Sequence, residues 1–325
     1  MKSDRIRVLY RQEMCPASLG EGSESKSPLK PRLLLEYLDQ MQLMDYFEID
    51  STFTPFTNQD FYIAHTQEYV DGFFQGQLPH SNGQGLLGID WSPEYADSTR
   101  YTNASLYHAI RGSIQNPSRI YLSPTSGFHH SIPAHGALFC AFSGQVIAAL
   151  KIYEELGLSG AFIDLDGHFG NSIEDSRYFA PTLNKAIPPG CNINIRTTHS
   201  EYLQDLQIRM LLLQERFLAG QLHYLVFCHG ADSHEEDDIG HQLNTEEWME
   251  CAHVFARTVQ QIESSLGSPI PVSLALFGGY REDDYNSVLS LHTGSLLHIL
   301  KHLSGIAIEY WPNVSKNLRK SADKK

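Results

Sequence analysis

The chain has 325 residues, 42% of them hydrophobic and 19% charged, which excludes global disorder and suits one large α/β domain or two small ones. Lys and Arg number 24 against 38 Asp and Glu, giving a formal net charge of −14. That balance argues against nucleic acid as a partner, because sequence-independent binding needs phosphate-neutralising cations, and favours cationic ligands such as lysine side chains or polyamines.

The N-terminus, MKSDRIRVLYRQEM, lacks the apolar stretch of a signal peptide, and no 18-residue apolar run occurs. Five scattered cysteines (Cys15, Cys140, Cys191, Cys228, Cys251) form no CxxC pair. An odd count in a long chain points to a reducing compartment rather than a disulfide scaffold. The expectation is a cytoplasmic protein with no membrane partner.

In chain order, residues 20–27 (GEGSESKS) read as a loop, and Pro31 suits the first turn of a helix carrying Leu33, Leu34 and Leu38. Residues 78–103 are rich in Gly, Ser, Asn and Pro and read as a long loop. From residue 118 a regular alternation begins. Strands are predicted over 119–122, 161–165, 192–195, 222–228 and 270–277. Helices are predicted over 145–156, from a Ser200 cap to 218, over 246–266 and over 285–303. Strands alternating with such helices imply βαβ units and a mostly parallel sheet. Strands apolar on both faces imply helices on both sides, hence a three-layer αβα architecture. Residues 313–325 are basic and apolar-poor, so a single catalytic domain over 1–312 with a frayed tail is expected.

The polar residues fall where open α/β sheets bind ligands, at the carboxyl ends of strands. His129 and His130 follow the first predicted strand. Asp164, Asp166 and His168 end the second. Asp232 follows the strand at 222–228, and Gly278, Gly279 and Tyr280 follow the strand at 270–277. In extended chain, residues two apart share a face, so Asp166 and His168 can approach one ion. Carboxylates and imidazole suit Zn²⁺ or Fe²⁺, and Asp232 as third ligand leaves a position open, the mark of a catalytic metal. The same aspartates equally serve as strand-end or capping residues. The His pair offers acid/base chemistry, or an ordinary surface role. Each imidazole needs an orienting partner, with Asp164 and Asn171 the nearest candidates; a carboxylate favours imidazolium far more than an amide does, so the two should differ in basicity. Tyr280, after two residues without side chains, can aim a phenol at a developing oxyanion, or simply pack as a core aromatic.

Four motifs in this order, GFHH with FCAF, IDLDGHFGN, GADSHEEDDIG and FGGY, resemble the zinc-dependent histone deacetylase superfamily, which includes lysine deacylases and acetylpolyamine amidohydrolases of the arginase-deacetylase fold. FHH, FCAF and the HxGN form look most like its class IV. The resemblance implies a catalytic Zn²⁺ on Asp166, His168 and Asp232, and His130 as general base and acid. It further implies His129 as an electrostatic partner of Asp164, Tyr280 polarising the acyl carbonyl, and a structural K⁺ at Asp164. It also implies an acyl tunnel involving Leu138, Phe139, Ile239, Gly278 and Gly279, and Arg32 as a buried cation near an acetate exit. Leu138 stands where the family usually has Gly, and Phe169 where it usually has a second His. The substrate so implied is an acyl-lysine side chain of a protein or peptide, with an acylated small amine as the alternative. Two rivals stand further off: a Mg²⁺-dependent haloacid-dehalogenase-type phosphatase with Asp164 as nucleophile, and a scaffold that binds acyl-lysine without turnover.

Overall fold

A computed structural model describes residues 1–77 and 87–317. Seven strands form one sheet: β1 (Ile6–Leu9), β2 (Phe47–Asp50), β3 (Ile120–Ser123), β4 (Gly160–Leu165), β5 (Asn192–Asn194), β6 (Tyr224–His229) and β7 (Val272–Leu276). Their order is β2-β1-β3-β7-β6-β4-β5, and every pairing is parallel. Every residue of β3, β4, β6 and β7 is buried. Successive side chains point to opposite faces, so both faces must be covered.

Six helices of ten or more residues among the described residues supply the cover: α1 (Lys30–Gln40), α2 (Pro93–Gln115), α3 (Gly144–Leu156), α4 (His199–Leu218), α5 (Thr245–Leu266) and α6 (Tyr285–Ser304). α2 packs on α3, while α1, α6, α5 and α4 pack side by side as a second group. The expected three-layer arginase-deacetylase arrangement is therefore what the chain adopts. Gly157 stops α3 at φ +70°, a left-handed turn that a side chain would disfavour. A reciprocal cap between Asn244 and Glu247 starts α5.

The loop expected over 78–103 is only partly one. Residues 78–86 lie outside the described residues, and from Pro93 the chain is α2, capped by Ser92. Its Ser and Thr side chains obscured the periodicity. They are buried by bonding back to carbonyls one turn earlier: Ser98 to Tyr95 (2.7 Å), Thr99 to Ala96 (2.6 Å) and Asn103 to Thr99 (2.8 Å). Ser200 is not a cap; α4 starts at His199 after Thr198. The tail expected to fray is docked as far as Asn317. Asn313 N–H donates to Ser290, Ser315 accepts from Arg281, and Asn317 is buried and donates to Asp238. Residues 318–325 lie outside the described residues. Among the described residues no helix is long and apolar enough to cross a membrane.

Register fixes the site. Ser123, Ala275, Cys228 and Asp164 form one row across β3, β7, β6 and β4. All four strands run the same way, so the segments after them emerge at one edge.

Candidate active site and metal centre

β4 runs out into Asp166 and His168, and β6 runs out into Asp232. Nδ1 of His168 lies 2.9 Å from Oδ2 of Asp232 and 3.2 Å from Oδ1 of Asp166. The three donor atoms fall within 4.8 Å of one another. Ligands about 2.1 Å from a divalent ion are spaced about 3 Å apart, so this set is nearly at coordination distance.

Both carboxylates are buried, and neither is ion-paired to Lys or Arg among the described residues. The second oxygen of Asp166 accepts from Gly278 N–H at 2.8 Å, whereas Oδ1 of Asp232 is buried with no hydrogen-bond partner. Such an oxygen is costly to bury unless something cationic meets it. Burial and the facing Asp166 push Asp232 up to about 8. Burial opposes ionisation of Asp166 too, but the charge of His129 and the bonds from His168 and Asp232 hold it below the usual carboxylate range. Hydrogen bonds to Asp166 and Asp232 raise His168 to about 10. An acidic pair and an imidazole pulled toward imidazolium are what a cation pocket looks like when protons substitute for the ion. The residues fit a divalent metal.

Glycines hold the ligands in place. A Cβ on Gly230 or Gly278 would strike the Asp232 carboxylate, and one on Gly240 would strike the Asp232 carbonyl. Asp232 is thus cradled with no room for a side chain on three sides.

The loop after β3 brings His129 and His130 to the same edge, anchored by Ser172 N–H on the His129 carbonyl at 2.9 Å. Their rings lie 4.1 Å apart. His129 Nδ1 meets Asp164 Oδ2 at 3.0 Å, and His130 Nδ1 meets Asn171 Oδ1 at 3.1 Å. Asn171 donates its amide N–H to Asp175 at 2.7 Å, which turns its oxygen to His130. His130 Nδ1 therefore carries the hydrogen and Nε2 the lone pair. The two rings differ in basicity as their partners require. Burial pushes His129 down, but the charges of Asp166 and Asp164 prevail and raise it to about 9. Burial and the neighbouring His129 lower His130 to about 4, with Asn171 opposing only weakly.

Gly279 adopts φ +148°, and a Cβ there would meet Val288. This turn presents Tyr280, whose ring centroid lies 6.1 Å from that of His168 and 5.3 Å from that of Phe139. Burial raises its phenol well above the ordinary value, so it stays a neutral O–H donor. Phe139, Ile239, Gly279 and Tyr280 share the lining of a cavity of ≈ 540 Å³, with Tyr285 and Lys26. Leu138 is 56% exposed and outside that lining; Gly278 lies deeper, against Asp166 and Asp232. Leu138 and Phe139 both have positive φ, +46° and +66°, so the backbone here favours glycine while the sequence supplies large apolar side chains. Phe169 is 41% exposed under the Arg196 guanidinium, 3.7 Å from its ring centroid.

Arg32 is not the buried cation. It is 36% exposed on α1 and faces Glu36 at 3.7 Å. Lys30, two residues earlier, is fully buried; its Nζ donates to the Phe277 carbonyl beside the charges of Asp232, Asp166 and Asp237. Residues two apart on a helix point to nearly opposite sides, so one can face the core only if the other faces out. Asp237 also escaped notice. Buried at 2% exposure, it accepts from Tyr280 N–H at 2.7 Å and Ile239 N–H at 3.1 Å, which ties the tyrosine turn to the metal loop. Its signal was present in the acidic run of GADSHEEDDIG, where three adjacent acidic residues mask the one that turns inward.

Comparison with known proteins agrees with this geometry. A histone deacetylase domain model matches residues 25–185. The chain is 20% identical over 176 residues to the acetoin utilization protein AcuC of Bacillus subtilis (strain 168), covering 51% of this chain and 43% of that relative, so it spans less than half of its length. The crystal structure of the HDA15 HD domain superposes with TM-score 0.66 at 16% identity, over 99% of this chain and 93% of that one. The chain is thus similar to histone deacetylase domains over residues 25–185 and shares the fold of the HDA15 HD domain along nearly its whole length.

Proposed function

We propose that this deacetylase-like chain is a single-domain, metal-dependent amidohydrolase that removes an acyl group from a lysine side chain. The observation that carries the reading is two adjacent imidazoles, one on the Asp164 carboxylate and one on the Asn171 amide, set beside the Asp166, His168 and Asp232 donor set. Asp166, His168 and Asp232 would hold Zn²⁺, which when bound supplies Lewis acidity toward the acyl carbonyl and lowers the pKa of water. His130, neutral at pH 7 with its lone pair on Nε2, accepts the proton of the attacking water. His129, kept protonated by Asp164 and Asp166, holds positive charge beside the developing oxyanion. Tyr280, half-buried and with its phenol pushed up well above the ordinary value, stays neutral and donates its O–H to the acyl oxygen. His130 then returns the proton to the leaving amine. A K⁺ at the buried Asp164 belongs to the same reading.

The cavity at Phe139, Ile239 and Tyr280 suits an acyl chain with an apolar stem, and the free, buried cysteines suit a cytoplasmic setting. An acylated polyamine is the second reading, favoured by the formal charge of −14. The test is turnover of fluorogenic acetyl-, medium- and long-chain acyl-lysine by zinc-loaded, folded protein, alongside acetylputrescine and acetylspermidine. Release of acyl group from none of them overturns the proposal. The ratio of lysine to polyamine turnover decides between the two substrates.

A further inference from the structure

Far from this site, α5 and α6 bring three histidines together. His298 and His302 are one turn apart on α6 and share a face. His253 projects from α5, which packs against α6. Nδ1 of His253 lies 3.4 Å from Nε2 of His302 and 3.4 Å from Nε2 of His298. All three donor atoms fall within 4.8 Å, and all three residues are half-buried, so solvent reaches them. Tyr285, which lines the acyl cavity, lies seventeen residues before His302 on α6, roughly 25 Å along the helix axis. The cluster is therefore separate from the deacylase centre.

Hydrogen bonding does not account for the arrangement. A ring nitrogen carries either one N–H or one lone pair, so Nδ1 of His253 can serve only one of the two nitrogens facing it. A metal ion serves all three. Around a tetrahedral centre with Zn–N bonds near 2.05 Å, ligand nitrogens sit about 3.3 Å apart. Two of the three edges already have that length. Glu250, one turn before His253 on α5, adds a negative charge that acts on His302, while Lys301 opposes it.

We propose that His253, His298 and His302 form a second divalent-metal site, of the zinc type with one position left to water, that clips α5 to α6. Three neutral imidazoles select borderline transition cations over Ca²⁺ or Mg²⁺. The ligands come from both helices, so binding requires the packed pair and stabilises it.

The experiment uses the untagged full chain, stripped with chelator and titrated calorimetrically with ZnCl₂, beside His253→Gln and His298→Gln. The ring positions are half-buried, and circular dichroism checks that each variant keeps the parent spectrum. The site predicts one fewer zinc equivalent in each variant than in the parent, whatever the parent total. It also predicts that saturating zinc raises the parent melting temperature by roughly 5 °C more than that of either variant. Equal stoichiometry in all three chains overturns the site, as does a lost equivalent of Kd weaker than about 100 µM, which marks adventitious binding only. Should one variant fail to fold, the other carries the comparison. The outcome is independent of catalysis, because the count is a difference between chains with the same Asp166, His168 and Asp232.

Discussion

His130 leans on the amide oxygen of Asn171 at 3.1 Å, where its neighbour His129 leans on a carboxylate. That difference in partner adds to burial and to the charges of Asp166 and His129 in setting the two rings apart in basicity. Burial and His129 hold His130 at about 4, so it is neutral across the range where proteins are assayed. Replacing Asn171 with Asp puts a negative charge on Nδ1 and favours imidazolium. The acid limb of the kcat/KM profile should then move up by one unit or more, with activity at pH 6 falling more than activity at pH 8. Asn171→Ala, which removes the partner without adding charge, should lower kcat without moving the limb upward. An unchanged limb in Asn171→Asp would show that His130 is not the group that must be deprotonated.

Metal uptake should release protons. Without the ion, Asp232 is raised to about 8 and His168 to about 10, so at pH 7 both hold protons that a divalent ion must displace. The sign follows: apparent zinc affinity rises with pH, by about tenfold per unit for each proton displaced, until these groups titrate on their own. Calorimetry in buffers of different ionisation enthalpy measures the protons directly. Asp232→Asn should lose this binding event and turnover together. Affinity that stays flat from pH 6 to 8 contradicts the coordination set.

The glycine cradle makes a sharper test, because it changes no ligand. In Gly230→Ala the new methyl meets Oδ1 of Asp232, the oxygen with no other partner. The carboxylate must move, and disturbing what holds a ligand costs zinc affinity by about 10–100-fold even though every donor remains. Thermal melting separates this from unfolding. An alanine variant with native zinc affinity and activity would remove Asp232 from the centre.

How far the site was legible follows from where each signal sits. Asp166, His168, Asp232, His129, His130 and Tyr280 each end or follow a predicted strand, and parallel strands bring those ends to one edge whatever the loop details. The partners Asp164 and Asn171 were legible because the two imidazoles needed them. Lys30 was not, since a lysine two residues from Arg32 gives no pattern telling which faces in; only the phase of α1 decides. α2 was hidden because buried Ser and Thr satisfied by their own helix look like loop residues in sequence. The histidines of α5 and α6 lie 45 residues or more apart in sequence (298 − 253 = 45), and only helix packing reveals that they meet.

Tyr280→Phe removes one hydroxyl and nothing else. If that hydroxyl donates to the acyl oxygen as charge develops, kcat falls by about 10²–10³ while KM and zinc content stay near native. A loss confined to KM would make Tyr280 a binding residue only, and no loss would leave the oxyanion to His129 and the metal.

Lys30 offers the last and least expected test. Its ammonium is fully buried behind Asp166 and Asp232 and bonds the Phe277 carbonyl. Burial lowers it to about 8, against the upward pull of Asp232, Asp166 and Asp237. Below that pH it is a positive charge beside the cation pocket, and it should weaken metal binding by repulsion. Lys30→Met keeps the volume and removes the charge. Zinc affinity at pH 7 should rise by about tenfold, equivalent to one pK unit of interaction. The gain should shrink above pH 8, where the parent lysine is already neutral. Stability should fall by about 1–3 kcal/mol, because the Phe277 carbonyl loses its donor. Weaker zinc binding in Lys30→Met would mean instead that the ammonium is needed to keep the two carboxylates in place, and that its role is to assemble the pocket rather than to oppose the ion.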